Sequence, residues 1–201
     1  MGSLFANLYD FVMGPFEKRK FKRIRIELLN VATGHVLELG SGTGVNFPLY
    51  RNAEMVTAVE PSEEMINRSH SRMNETNIPI NVVMASAEQL PFTDHSFDTV
   101  VATLVFCTIP HPDAAMNEIK RVCKPGGNIL MFEHVRMENR FFLTIQKWLN
   151  PSWKRICGGC CLDRDTLGLI NDHGLSVSRV DSYYNGLFVT VMATNGVKQI
   201  E

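Results

Sequence analysis

A short apolar run, residues 35–39, ends in Gly40-Ser41-Gly42-Thr43-Gly44. Glycines in such a loop let the backbone approach a ligand closely and take conformations that a Cβ forbids. Glu38 stands two residues before the loop, and Glu60 ends a second apolar run twenty residues beyond Gly40. An acid at that distance is placed to accept hydrogen bonds from ribose hydroxyls. Loop and acid together point to a nucleoside cofactor. Spacing narrows the choice: a dinucleotide fingerprint is G-x-G-x-x-G with a pyrophosphate on the helix N-terminus, whereas this chain reads G-x-G-x-G. A carboxylate at Glu38 repels a pyrophosphate and suits an ammonium or a sulfonium.

Chemistry on a second substrate needs groups near the tips of later strands. His134 ends the fifth apolar run, and His111, between Pro110 and Pro112, follows the fourth at a comparable height. Each is a candidate catalytic proton acceptor, against the commoner alternative of a hydrogen-bonded structural histidine. Cys107 is placed to line the same pocket, although a free cysteine is usually a small buried hydrophobe. The Cys157-Gly158-Gly159-Cys160-Cys161 segment offers thiolates at metal spacing. It lacks a second C-x-x-C and a nearby histidine at ligand spacing, so it reads as a loop packed over the site, and no metal is expected. Phe141, Phe142, Trp148, Trp153 and Ile156 form a stripe that reads as core, with a cap over a hydrophobic substrate as the alternative.

These residues require a frame that gathers strand ends. Apolar runs at 35–39, 54–60, 79–85, 97–106 and 128–134 alternate with amphipathic stretches at 63–74 and 112–123. The run at 97–106 is nearly continuous, the pattern of a strand buried on both faces. Runs at 175–181 and 187–194 flank Tyr184-Asn185-Gly186, a hairpin signal. Strands separated by helices make a parallel sheet with right-handed crossovers. The expectation is an α/β fold, a three-layer Rossmann-like sandwich with a mostly parallel seven-stranded sheet and an antiparallel C-terminal hairpin. Ligands of such sheets bind at the carboxyl ends of the strands, where the glycine loop lies.

Composition agrees. The chain has 201 residues, 45% hydrophobic and 20% charged, which suits one globular domain. A formal charge of −1 argues against a nucleic-acid partner. No apolar run reaches the length of a membrane span, the start lacks the form of a signal peptide, and five cysteines make no disulfide framework. A soluble, cytoplasmic protein is expected. Residues 1–30 carry six bases against three acids and read as an N-terminal helical cap on a domain spanning 31–201. Phe16, Phe21, Ile24, Leu28 and Leu29 mostly share one helical face. That face docks on the domain, or, with Phe5, Leu8 and Phe11, serves as a lid or a peripheral membrane contact.

Residues 36–44, Val-Leu-Glu-Leu-Gly-Ser-Gly-Thr-Gly, resemble motif I of the class I S-adenosylmethionine-dependent methyltransferases. Glu60 matches the acid that ends the family's second strand. Ser86-Ala87-Glu88-Gln89-Leu90-Pro91-Phe92 is similar to the segment around the adenine, with Ser86 where many members place an Asp. Residues 97–101 resemble the start of the fourth strand, and 121–127 the turn before the fifth. The run from Gly40 to Tyr50 with Asn46 and Phe47, residues 103–107, Phe132-Glu133-His134-Val135, Asn150-Pro151 with Trp153, Gly159-Cys160 and Leu162-Asp163-Arg164 look like the thiol methyltransferases of methyltransferase-like family 7. A looser likeness extends to quinone and phospholipid-amine methyltransferases.

The resemblance implies S-adenosylmethionine as cofactor and a small, rather apolar methyl acceptor: a thiol, a quinone-like ring or an amine lipid. Carried over residue by residue, Gly40, Ser41, Gly42, Gly44 and Asn46 receive the methionine part and ribose. Glu38 sits near the cationic end, and Glu60 takes the ribose hydroxyls. Pro61 and Ser62 with Ser86, Ala87 and Glu88 enclose the adenine, while Thr103 and Val105 border the sulfonium. Two other readings stay open: a nucleotide-dependent oxidoreductase on a similar sheet, and a non-catalytic cofactor-binding module at a membrane surface. The oligomeric state is undetermined.

Overall fold

A computed structural model describes residues 20–196. Helix α1 (Lys22–Leu29) leads into β1 (Gly34–Leu39). A 3-10 turn at Phe47–Leu49 precedes β2 (Ala53–Val59), α2 (Glu63–Met73), β3 (Ile80–Val83) and β4 (Phe97–Thr103). Then follow α3 (Pro112–Val122), β5 (Cys123–His134), α4 (Arg140–Ile156), α5 (Thr166–Asp172), β6 (Ser176–Tyr183) and β7 (Phe188–Thr194). The seven strands form one sheet in the order β3-β2-β1-β4-β5-β7-β6. The first five pair in parallel, and β7 runs antiparallel to both β5 and β6. The strand order reverses between the adjacent parallel strands β1 and β4, and the strand ends there open the crevice that ligands use in such folds.

Alternation along the central strands builds two cores. Leu37, Leu39, Val100, Ala102, Ile129 and Met131 face one side, where Met116 and Ile119 of α3 and Ile170 of α5 cover them. Val36, Val56, Val101, Leu130 and Phe132 face the other, under Phe21 at the N-cap of α1, Ile24, Leu28 and Leu29 within it, and beside Phe47 and Tyr50. The side-chain period of two puts consecutive residues on opposite faces, so a strand apolar at every position must lie between two layers. The three-layer expectation holds. The apolar face of α1 docks on the sheet, while residues 1–19, including Phe5, Leu8, Phe11 and Phe16, lie outside the described residues.

Three local expectations are corrected. Strand β4 stops at Thr103 rather than 106, because Leu104 takes a left-handed backbone conformation (φ 55°) and turns the chain out of the sheet. The Val105 and Phe106 N–H groups then donate to the buried Glu133 carboxylate at 3.0 and 3.2 Å. Strand β5 begins at Cys123 rather than 128, and it carries the Lys124-Pro125-Gly126-Gly127 segment within it. The aromatic stripe at 141–156 is not core: it lies on α4 with Trp148 79% exposed and Phe141 69% exposed.

Helix α4 is attached by polar contacts instead. Gln146, its one buried residue, donates from Nε2 to the Val135 and Leu162 carbonyls at 3.1 and 3.0 Å and accepts from the Met137 N–H at 2.9 Å. One turn on, Asn150 donates to Asp163 at 2.7 Å and accepts from the Leu162 N–H at 2.9 Å. The i, i+4 spacing lines both amides along one face. No helix among the described residues is long and apolar enough to cross a membrane.

Candidate active site

The carboxyl ends of β1, β2 and β4 open into a cleft of about 980 Å³. The glycine loop forms one wall, and its three glycines, all at positive φ, have separate reasons. A Cβ at Gly40 would collide with Val105 Cγ2, so that glycine lets the β1 and β4 tips approach. At Gly42 nothing lies within 4 Å, leaving its backbone open to the cleft. A Cβ at Gly44 would meet the Phe47 ring at 2.6 Å. Gly44 therefore serves packing and does not line the cleft.

Glu60, just past the end of β2, is 8% exposed and holds the mouth of the loop together. One oxygen accepts from the Gly42 N–H at 2.9 Å and the other from the Ser62 N–H at 3.0 Å. Burial pushes its carboxyl above the usual range against those two bonds. Each oxygen retains a further lone pair for a ligand hydroxyl. Beside it Ser41 Oγ is buried and lacks a protein partner among the described residues, although Ser41 lines the cleft. An orphaned buried hydroxyl is costly unless something else bonds it, which fits a polar ligand at this spot.

Glu38 lies behind the cleft wall and does not reach it. It is 1% exposed, accepting from Tyr50 Oη at 2.7 Å and from Asn46 Nδ2 at 2.9 Å. Arg25 of α1 closes the network, donating from Nη1 to Asn46 Oδ1 at 3.0 Å and to Thr103 Oγ1 at 2.7 Å. Burial pushes the Glu38 carboxyl up to about 7, with the Tyr50 and Asn46 hydrogen bonds and the Arg25 charge opposing it. The Arg25 guanidinium also stands 5.6 Å over the Phe132 ring. Through Asn46, Thr103 and Arg25, all of which line the cleft, the buried acid sets the orientation of surface groups from behind the wall.

The expected adenine segment lines the cleft with Pro61, Ser62, Ser86, Ala87 and Glu88. Its polar side chains are engaged internally. Ser86 Oγ donates to Glu88 Oε2 at 3.0 Å, and Glu88 Oε1 accepts from the His111 N–H at 2.6 Å. Thr103 and Val105 also line it. His111 is exposed outside the cleft and holds its loop through its backbone N–H. His134 is buried away from it, with Nε2 3.1 Å from Cys160 Sγ. The structure therefore gathers twelve of the sixteen expected residues around the cleft and leaves Glu38, Gly44, His111 and His134 off its surface.

Sequence reasoning missed Arg25, Tyr50 and Glu133 as residues that organise the site. Arg25 lay in view: its spacing from Phe21, Leu28 and Leu29 places a charge on the apolar face of α1, a position that demands a buried partner. Glu133, inside the apolar run of β5, carried the same kind of signal. Burial pushes its carboxyl up to about 7, with the Val105 and Phe106 N–H groups opposing. The far side of the cleft is closed by α4 and the loop after it, through Lys154, Gly158, Gly159, Cys161 and Arg164, facing Thr108, Ile109 and Pro110.

Comparison with known proteins agrees with this geometry. A family model described as a methyltransferase domain matches residues 37–131. A thiol S-methyltransferase of Homo sapiens is 34% identical over 167 residues, covering 77% of this chain and 68% of that protein. A phosphatidylethanolamine N-methyltransferase of Cereibacter sphaeroides is 32% identical over 144 residues, covering 71% and 70%. A solved S-adenosylmethionine-dependent methyltransferase structure from Thermotoga maritima superposes with a TM-score of 0.69 at 19% identity, over 96% of this chain and 98% of that one.

Proposed function

Because the chain belongs to the class I S-adenosylmethionine-dependent methyltransferases, we propose that its methyl acceptor is a small, rather apolar thiol. The observation that carries this reading is the charge of the acceptor side. Lys154 and Arg164 reach the cleft there among Ile109, Pro110 and the Gly158-Gly159 backbone. Among the carboxylates that line the cleft, Glu88 has both oxygens bonded, to Ser86 and the His111 N–H. Cations lower the cost of a thiolate and disfavour an ammonium, so a thiol suits this wall better than an amine lipid.

The donor set fits the cofactor. Glu60 is placed for two vicinal hydroxyls, the Gly42 backbone and orphaned Ser41 Oγ for the ribose and methionine parts, and Pro61 with Ala87 for the adenine faces. When bound, S-adenosylmethionine supplies a methyl group on a positive sulfur, already activated for displacement. Thr103, positioned by the Glu38–Asn46–Arg25 network, and Val105, held through its N–H by Glu133, border the path along which the acceptor sulfur forms its new bond to carbon. The cap side excludes water and aligns the acceptor, and good alignment can contribute roughly 7–11 kcal/mol. A thiol near its own pKa needs little proton removal by a side chain, which matches the position of both histidines off the cleft surface.

A panel of an alkyl thiol, a demethylated quinone and phosphatidylethanolamine, read as S-adenosylhomocysteine release, tests the acceptor. Turnover on the thiol is expected, and Glu60→Ala is expected to weaken cofactor binding by roughly a hundredfold, the equivalent of one to two charge-assisted hydrogen bonds. Turnover confined to the quinone or the lipid overturns the thiol reading.

A second reading concerns where the acceptor is met. Helix α4 exposes Phe141, Trp148, Leu149 and Ile156, and its charged residues, Arg140, Lys147, Lys154 and Arg155, are all basic. An apolar face with aromatic residues and a basic rim suits an anionic lipid surface. Co-sedimentation with phosphatidylserine vesicles, lost in Trp148→Ser, is the expected outcome. Equal sedimentation of the variant counts against it.

A further inference from the structure

Behind the cap side of the cleft, three residues distant in sequence meet. Cys107 follows the tip of β4, His134 ends β5, and Cys160 belongs to the loop after α4. Their two sulfurs and one ring nitrogen all lie within 4.8 Å of one another, with His134 Nε2 3.1 Å from Cys160 Sγ. We propose that Cys107, His134 and Cys160 bind one zinc ion, which staples the cap loop to the ends of β4 and β5.

The donor chemistry is selective. Two thiolates and one neutral imidazole balance a divalent charge, and soft sulfur with imidazole favours zinc over magnesium or calcium. Tetrahedral zinc, with bonds of about 2.3 Å to sulfur and about 2.0 Å to nitrogen, sets its ligand atoms roughly 3.5–3.8 Å apart. The three donor atoms, all within 4.8 Å of one another, already approach that spacing. Three protein ligands leave a fourth position for water or another donor.

The backbone holds this arrangement in register. The Cys161 N–H donates to the Cys107 carbonyl at 2.8 Å, tying the cap loop to the β4 tip one residue from the ligand. Cys107 and His134 are buried, whereas Cys160 is half-buried and gives an ion a route in. The adjacent thiol is turned elsewhere: Cys161 Sγ contacts the Gly159 carbonyl at 3.6 Å. Thr108, Gly159 and Cys161, neighbours of two ligands, line the cleft, so the ion shapes a wall of the site as a positioning element. Sequence spacing alone finds no histidine near Cys157–Cys161; the sheet supplies it from β5.

The test uses the full chain purified under reductant, equilibrated with zinc and freed of excess by dialysis. About one zinc per chain is expected. Cobalt in its place should give a thiolate charge-transfer band and the visible bands of tetrahedral coordination. Cys107→Ser and Cys160→Ser should each reduce the retained metal to near zero, whereas Cys157→Ser leaves it unchanged. Cys160 is in a loop, so its variant is expected to match metal-free wild type in melting temperature and cofactor binding, which separates loss of metal from loss of fold. Retention below about a tenth of an equivalent overturns the proposal. So does a cobalt spectrum that survives in Cys160→Ser, or a Cys107–Cys160 disulfide in the reduced-handled protein. Each readout is independent of the acceptor and of turnover.

Discussion

The two sides of the cleft are built by opposite means. On the cofactor side, glycine turns and acids grow out of parallel strands whose side chains are buried in two apolar cores. Its charged groups are interlocked, and Glu38, Asn46, Arg25, Thr103 and Tyr50 form one buried network. On the cap side, α4 buries a single amide and turns its large apolar residues outward. Cooperative packing makes the first side rigid, whereas a helix held by a few hydrogen bonds opens at lower free energy. On the reading proposed above, the rigid half holds the cofactor and the loosely attached half meets the acceptor.

The contrast breaks most severely at Arg25. Arg25→Ala leaves Asn46, Thr103 and the Glu38 charge without their cationic partner, and a loss of about 3–5 kcal/mol in urea unfolding is expected. A loss below about 1 kcal/mol would mean that the network is not the keystone of the cofactor side.

The same network contributes to the pH response, alongside Glu133 of β5, whose carboxyl burial also pushes up to about 7. Glu38 has its folded-state pKa raised to about 7, so the folded chain holds a proton that the unfolded chain has released. Its contribution to stability is complete below the ordinary carboxyl pKa, falls as pH rises from about 4.5 to about 7, and is flat above that. Glu38→Gln should lack that slope, so the difference between the wild-type and variant stability curves carries it. A slope of equal size in the variant would assign it to another group.

On the cap side the expected effects are smaller and local. Gln146→Ala removes three hydrogen bonds, worth roughly 2 kcal/mol in local opening. Cleavage by a protease near residues 157–161 should accelerate, with little change in melting temperature. A matching fall in melting temperature would show the cap to be part of the global unfolding unit. The smallest effect belongs to Trp148→Ser, which should change stability by less than about 0.5 kcal/mol. A larger loss would mean that the exposed indole is packed against something.

Much of the cofactor side was legible in the sequence because its signals are local. The loop at Gly40–Gly44 follows a strand directly, Glu60 ends the next strand, and both act within a few residues of their own backbone. Positions that act at a distance were harder to assign. Glu38 reads as a carboxylate facing the cofactor, yet Tyr50 and Asn46 draw it behind the wall. Apolar content at 97–106 cannot reveal that Leu104 turns left-handed, since the acid that captures the freed N–H groups comes from β5. Trp148 and Phe141 fit a core stripe by composition, and only their exposure among the described residues shows otherwise.

By itself the sequence determined the strand order's raw material: alternating apolar runs, the glycine turn, the acid twenty residues on, and the family whose chemistry these serve. Periodicity and turn chemistry act between near neighbours, so one chain read in order contains them. Only the tertiary structure decided which charges are buried together, which aromatic residues face outward, and that Cys107, His134 and Cys160 converge. Those outcomes depend on the sheet bringing strand ends into contact, and no spacing along the chain encodes that distance.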